Sequence, residues 1–212
     1  MSAYVIAATG TGVGKTFTTC ALAHASGGRA YKPVISGFDG DETDTHQLID
    51  AMGGGNVEDV SPWRFAAPLS PDMAAARENR RIDLDELTEW CREHTREAGP
   101  AFIETVGGVM VPLNDRHTTL DWMRGMNLPV ILVAGTYLGT ISHTLTAIAA
   151  LRGAGLGIRA LVLSESAENP VPLDELARAI HTHSALPLIV PQARVSSWRE
   201  AGAIHQLAGE LR

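Results

Sequence analysis

The densest chemistry in the chain lies at positions 9–16. There Thr9-Gly10-Thr11-Gly12-Val13-Gly14-Lys15-Thr16 follows an apolar run at 4–8 and precedes a helix-forming run at 17–25. A strand, a glycine-rich loop and a helix in that order make a phosphate-binding loop. The glycines let successive backbone N–H groups turn toward phosphate oxygens, and the helix N-terminus adds partial positive charge. Lys15 is then the cation for the β- and γ-phosphates, and the Thr16 hydroxyl is a ligand for Mg²⁺. The strict pattern would put one more glycine at Thr9, so the strand and helix around the loop carry the reading rather than the literal spacing. A bound nucleoside triphosphate follows from this loop; the reaction does not.

Other residues narrow the chemistry. Tyr31-Lys32-Pro33-Val34, followed by Ser36-Gly37, puts a second lysine at the end of the next apolar run, at the sheet edge where open α/β folds bind ligands. A lysine at a strand end is ordinarily just solvated. Sharing an edge with Lys15, it brings a second ammonium to the phosphates and to a developing anion, as phosphoryl transfer requires. Asp44 and Glu104 are the best carboxylates to complete a Mg²⁺ shell with Thr16, and Glu104 closes an apolar run at 101–104. Gly107-Gly108 beyond it permits close approach of a ligand. By contrast, Gly53-Gly54-Gly55 lacks a following Lys-Ser/Thr and reads as a turn or a helix stop. The eight histidines are scattered without ligand spacing, and Cys20 and Cys91 lie far apart outside any C-x-x-C pair, as small apolar helix residues would.

These residues need a scaffold, and the apolar runs supply one. Runs rich in Val and Ile recur at 4–8, 30–34, 101–104, 129–134, 159–163 and 186–190, continuous as strands buried on both faces are. Helical stretches lie between them, with expected starts at Asp83 with Glu86 three residues on, at Ser142, and at Pro172. The alternation predicts an α/β fold with a doubly wound, largely parallel sheet of P-loop NTPase type, in a single domain over residues 1–212. Net charge is −7 with only 17 Lys and Arg, which leaves no footprint for nucleic acid or an anionic membrane. The N-terminus lacks the features of a signal peptide and no apolar run reaches membrane-spanning length, so a cytoplasmic location is expected.

Four motifs in chain order resemble the dethiobiotin synthetase family: Thr9 to Thr16, Tyr-Lys-Pro-Val-x-Ser-Gly at 31–37, Pro68-Leu69-Ser70-Pro71, and Leu-Gly-Thr-Ile-Ser-His-Thr at 138–144, with Glu104 between the last two. The resemblance implies a homodimer with shared active sites, in which 7,8-diaminononanoate meets CO₂ or bicarbonate and MgATP in a late step of biotin biosynthesis. It implies that ATP lies along Gly10, Thr11, Gly12, Val13, Gly14, Lys15, Thr16 and Phe17, with Glu104 and Ser164 completing its contacts. Lys15 and Lys32 would hold the γ-phosphate and a carbamate, and Thr11 and Ser36 would contact the diamine. Thr16, Asp44 and Glu104 would serve Mg²⁺, and Pro71 would wall the amine pocket. Leu138, Gly139, Thr140, Ile141 and Ser142 of the partner subunit would bind the substrate's tail carboxylate, which suits a segment that opens a helix.

The chain departs from the family pattern at four places. Ala8 stands for a loop-opening glycine, Thr105-Val106 for Gly-Ala, Tyr137 for a lysine found in some members, and Ser164 for an asparagine that often reads adenine. The last departure predicts a looser choice of base. A competing reading is a nucleotide-switch ATPase of the partitioning or metal-chaperone type, whose loop carries a signature lysine where this chain has Gly10. An amidoligase module of cobalamin-type synthesis would need a glutaminase domain that 212 residues cannot also hold.

Overall fold

The computed structural model describes residues 2–40, 43–96 and 99–211. In chain order the elements are β1 (Ala3–Ala8), α1 (Lys15–Ser26), β2 (Arg29–Tyr31), β3 (Val34–Ser36), α2 (Asp44–Met52), α3 (Val57–Val60), β4 (Trp63–Phe65), α4 (Pro71–Arg77) and α5 (Leu84–His94). They continue with β5 (Ala101–Glu104), α6 (Thr119–Met126), β6 (Val130–Ala134), α7 (Thr140–Gly153), β7 (Ile158–Ser164), α8 (Leu173–Ser184), β8 (Ile189–Gln192) and α9 (Gly202–Glu210).

Six strands form one parallel sheet in the order β2-β5-β1-β6-β7-β8. In β1, Tyr4, Ile6 and Ala8 enter one apolar layer with α1 and α9, while Val5 and Ala7 enter the opposite layer with α5, α6, α7 and α8. Alternate residues buried on both faces explain why the strands read as unbroken apolar runs. The Tyr4 hydroxyl also donates to the Leu211 carbonyl at 3.0 Å, pinning the end of α9 to the central strand. From β1 the chain passes first to one side of the sheet and later to the other, so the crevice at the C-terminal end of β1 is the switch point where such sheets bind ligands. Among the described residues, no helix is long and apolar enough to cross a membrane.

The expected strand at 30–34 is instead two strands in different sheets. Pro33 has no N–H to give a ladder, the Lys32 N–H turns aside to Val60 O at 3.1 Å, and Pro33 O accepts from Trp63 N at 3.0 Å. β3 then pairs with β4 in a small second sheet. Nothing in the sequence reading anticipated β4, a three-residue strand with Arg64 at its centre. The expected helix start at Ser142 also moves. The cap is Gly139 and the helix begins at Thr140, whose hydroxyl donates to Gly135 O at 2.6 Å, leaving Ser142 exposed in the first turn. The last strand lies at Ile189–Gln192 rather than 186–190. Asp83 does cap α5, accepting from the N–H groups of Asp85 and Glu86; Pro172 precedes α8, and Gly53 ends α2.

Candidate active site

β1 delivers the chain into the glycine-rich loop at the switch point, and α1 begins at Lys15, so Lys15 and Thr16 stand in its first turn. Gly14 caps α1 at φ +90°, a left-handed conformation that a residue with a Cβ adopts only under strain. Space is lacking as well, because a Cβ there would lie 2.4 Å from Ser164 Oγ. The end of β7 is thus pressed directly against the loop.

Behind the loop sits a compact set of charges. Parallel pairing of β5 with β1 sets Glu104 opposite Ile6, and the Thr105 N–H and hydroxyl both donate to Ile6 O, at 3.0 and 3.2 Å. Glu104 is fully buried. Its Oε1 accepts from the Thr16 hydroxyl at 2.8 Å and from Lys32 Nζ at 3.0 Å. Lys32 also pairs with Asp44, the first residue of α2, whose start is shaped by His46 Nδ1 accepting from the Thr43 N–H at 3.3 Å. Glu104 Oε2 is buried with no hydrogen-bond partner among the described residues.

The charge states follow from these neighbours. Burial pulls the Lys15 ammonium below a lysine's ordinary value; Glu104 and Asp44 oppose that pull and Lys32 adds to it. Burial would lower Lys32 too, but Glu104 and Asp44 outweigh it and hold this ammonium above its ordinary value. For Asp44, burial favours the protonated acid, yet the charge and hydrogen bond of Lys32, helped by Lys15 and Thr16, keep the carboxyl below the usual range. Lys32 and Asp44 are therefore both ionised near neutral pH. Lys15 is a buried amine whose carboxylate neighbours only partly offset its burial, which suits it to receive phosphate oxygens.

Three cavities border these elements. The first, about 690 Å³, runs from Thr11, Lys15 and Thr16 across Lys32, Ser36 and Asp44 to Pro71 and Gly107. Ser36 Oγ is buried there without a partner among the described residues. The second, about 350 Å³, lies beyond the loop against Gly12, Val13, Gly14, Phe17 and Ser164. It also takes its wall from Glu165, Ser166, Ala167, Ala193, Arg194 and Val195, which the sequence reading did not single out. Their only signal was position, just past the C-terminal ends of strands in an open sheet. Gly10 lines neither cavity and instead backs onto Gly108, whose added Cβ would lie 3.6 Å from Gly10 Cα. Leu138, Gly139, Thr140, Ile141 and Ser142 line a third cavity, of about 580 Å³, and do not border the first cavity of their own chain.

An elongated phosphate-bearing ligand fits this layout. Its phosphates would lie on the loop, its base in the second cavity, and an acceptor group beside Lys32 in the first.

The family model described as an AAA domain matches residues 2–199. The chain is 44% identical over 197 residues to the ATP-dependent dethiobiotin synthetase BioD of Acidiphilium cryptum (strain JF-5), covering 86% of this chain and 88% of that protein. It is 43% identical over 218 residues to the protein of the same name from Caulobacter vibrioides (strain NA1000 / CB15N), covering 98% and 99%. Among solved structures it resembles the septum site-determining protein MinD of Pyrococcus horikoshii OT3, complexed with Mg-ADP, at a TM-score of 0.63 and 18% identity over 99% of this chain and 95% of that one. A ParA family ATPase from Chlorobium tepidum TLS gives 0.57 at 10% identity, over 100% and 98%. Likeness at such identities establishes the P-loop NTPase fold and nothing finer.

Gly14→Ala tests the loop. The strained φ costs about 1–2 kcal/mol and the Cβ meets Ser164, so nucleotide affinity should fall at least about tenfold while the far-ultraviolet spectrum is kept. Unchanged ATP affinity in calorimetry would mean that the loop does not grip phosphate in this conformation.

Proposed function

The chain belongs to the ATP-dependent dethiobiotin synthetase family, and from that membership we propose that it joins CO₂ to 7,8-diaminononanoate and closes a ureido ring using the γ-phosphate of ATP. It is an ATP-dependent cyclo-ligase, and we take residues 1–212 as one catalytic domain. The observation that carries the mechanistic reading is Lys32, an ammonium held between Asp44 and Glu104 on the wall of the cavity that starts at the phosphate loop.

In this reading one amine adds to CO₂, an N–C bond forms and a proton leaves, giving a carbamate. A carbamate oxygen then attacks the γ-phosphorus, the bond to the β–γ bridging oxygen breaks, and ADP departs. The second amine attacks the carbonyl carbon of the mixed anhydride, inorganic phosphate leaves, a second proton is released, and the ring is closed. Lys15 and the backbone of residues 11–14 hold the phosphates, and Lys32 holds the carbamate against them. Thr11 and Ser36 orient the diamine and Pro71 walls it in. Two fixed ammoniums beside the transferring group stabilise charge where it develops, without reorganisation during the reaction. Phe17 and Ser164 border the base, and a serine hydroxyl offers fewer contacts to adenine than an asparagine amide would. Gly10, in the place of the switch ATPases' signature lysine, favours the ligase over that alternative.

Thr16, Asp44 and Glu104 would hold Mg²⁺. The donors are hard oxygens, Glu104 Oε2 is buried without a partner among the described residues, and an ammonium already rests on the neighbouring carboxylate oxygens, so the site suits a cation. When bound, the ion would neutralise charge on the phosphates.

The 138–142 segment lines a cavity apart from the first, and Leu138 is 89% exposed, which supports its serving the diamine's carboxylate in a partner subunit. Sedimentation should therefore give a dimer, and Gly139→Asp, which puts negative charge at the turn, should raise the KM for the diamine while ATP binding persists. A fully active monomer would overturn the shared site.

The central test is incubation with diaminononanoate, bicarbonate and MgATP, with mass analysis for the ring-closed product. Lys32→Ala should slow its formation by about a hundredfold or more, the usual effect of losing one such charge. Diamine-independent phosphate release with no new product would favour the switch reading instead. Glu104→Gln and Asp44→Asn should raise the Mg²⁺ concentration for half-maximal activity more than they lower the melting temperature, because the side-chain shape is kept and an anionic ligand is lost. Half-saturation that stays put in both variants would remove these carboxylates from the metal site.

A further inference from the structure

The second and third cavities share a wall, built from a reciprocal pair of hydrogen bonds between the ends of neighbouring strands. Just past β6, the Thr136 N–H donates to Ser166 Oγ at 2.9 Å; just past β7, the Ser166 N–H donates to Thr136 Oγ1 at 2.9 Å. Ser166 lines the second cavity and Thr136 lines the third. Thr136 is 1% exposed, so its N–H has no recourse to water if the serine hydroxyl is removed. The two loops are also in hard contact: a Cβ on Gly135 would sit 2.8 Å from Ser166 Oγ and 3.1 Å from the Tyr137 ring.

Each end of this pair is tied onward. On one side, the Glu165 N–H donates to Gln192 O at 3.0 Å and Glu165 Oε2 accepts from the Arg194 N–H at 2.8 Å, which fixes the far wall of the second cavity. On the other, the Thr140 hydroxyl holds Gly135 O, so the first residue of α7 is anchored to the same strand end. Hydrogen bonds alternating with peptide links thus connect Arg194, through Glu165 and Ser166 and then Thr136 and Gly135, to Thr140 in the turn at 138–142.

We propose that Thr136 and Ser166 are positioning residues that link occupancy of the second cavity by the nucleotide base to the seating of the diamine's carboxylate on the 138–142 turn of the same chain. The proposal rests on the functional reading above. A base that orders the Glu165 to Ser166 wall leaves less motion to be lost when the turn binds its anion, and the two ligands favour one another. Because the turn would serve the partner's substrate, nucleotide in one subunit would prepare the other subunit's diamine site.

The experiment measures diaminononanoate affinity by calorimetry in the presence and absence of ADP, and again with tripolyphosphate, which fills the phosphate loop but carries no base. In the unaltered protein ADP should tighten the diamine about fivefold or more, at the low end of ordinary couplings between sites, and tripolyphosphate should not. Ser166→Ala and Thr136→Val should each shrink that factor below about twofold, whereas Ser166→Thr, which keeps a hydroxyl, should retain it. Gly135→Ala is the second route: it removes no hydrogen-bonding group but wedges the loops apart, and it should weaken the coupling as the hydroxyl deletions do. ADP affinity measured on the same samples establishes that each variant is folded. Coupling that persists in Ser166→Ala and Gly135→Ala, or that tripolyphosphate reproduces, overturns this inference while leaving the ligase reading in place. An unaltered protein that binds no diamine under any condition overturns both.

Discussion

Much of the architecture serves to hold one buried carboxylate between fixed partners. Glu104 has no exposed surface, and a polar group so placed is tolerable only with partners. Thr16 and Lys32 both converge on Oε1, one from the first turn of α1 and the other from the end of β2. For them to meet there, β5 must lie between β1 and β2, its pairing with β1 must set Glu104 beside Ile6, and the strand after Lys32 must leave the sheet. Pro33 secures that departure by withholding a donor. The strand order, the break after β2 and the start of α2 at Asp44 are thus parts of one electrostatic arrangement.

The cavities around that arrangement share walls. The phosphate loop divides the first from the second, and the segment that begins at Glu165 divides the second from the third. A ligand in any one of them therefore presses on structure that shapes its neighbour. Such an arrangement suits a reaction in which several reactants must be present together before any of them is activated.

The parts of this site that were legible in the sequence are those whose residue types carry their own explanation. A glycine-rich turn between an apolar run and a helix, a lysine closing the next run, and a glutamate closing another can each be read locally, because polar groups at the ends of buried strands are hard to explain otherwise. The misreadings arose where the decisive partner lies outside the segment being read. Residues 30–34 look like one strand until Val60 and Trp63 are seen to claim the backbone on either side of Pro33. Ser142 looks like a cap, yet Gly139 takes that role because Thr140 is drawn back to Gly135. The wall at Ala193, Arg194 and Val195 has no chemical signature at all, and only topology brings it to the second cavity.

The contact between Gly14 and Ser164 has a consequence for how such sequences diverge. The two positions are separated by most of the chain, yet the hydroxyl of one occupies the volume that any side chain of the other would need. Substitutions at the end of β7 are therefore filtered first by whether they spare the phosphate loop, and only then by what they offer the second cavity. Across relatives, the variety allowed at position 164 should be narrow in shape and broad in polarity, and a larger residue there would have to point away from the loop, with position 14 remaining glycine throughout.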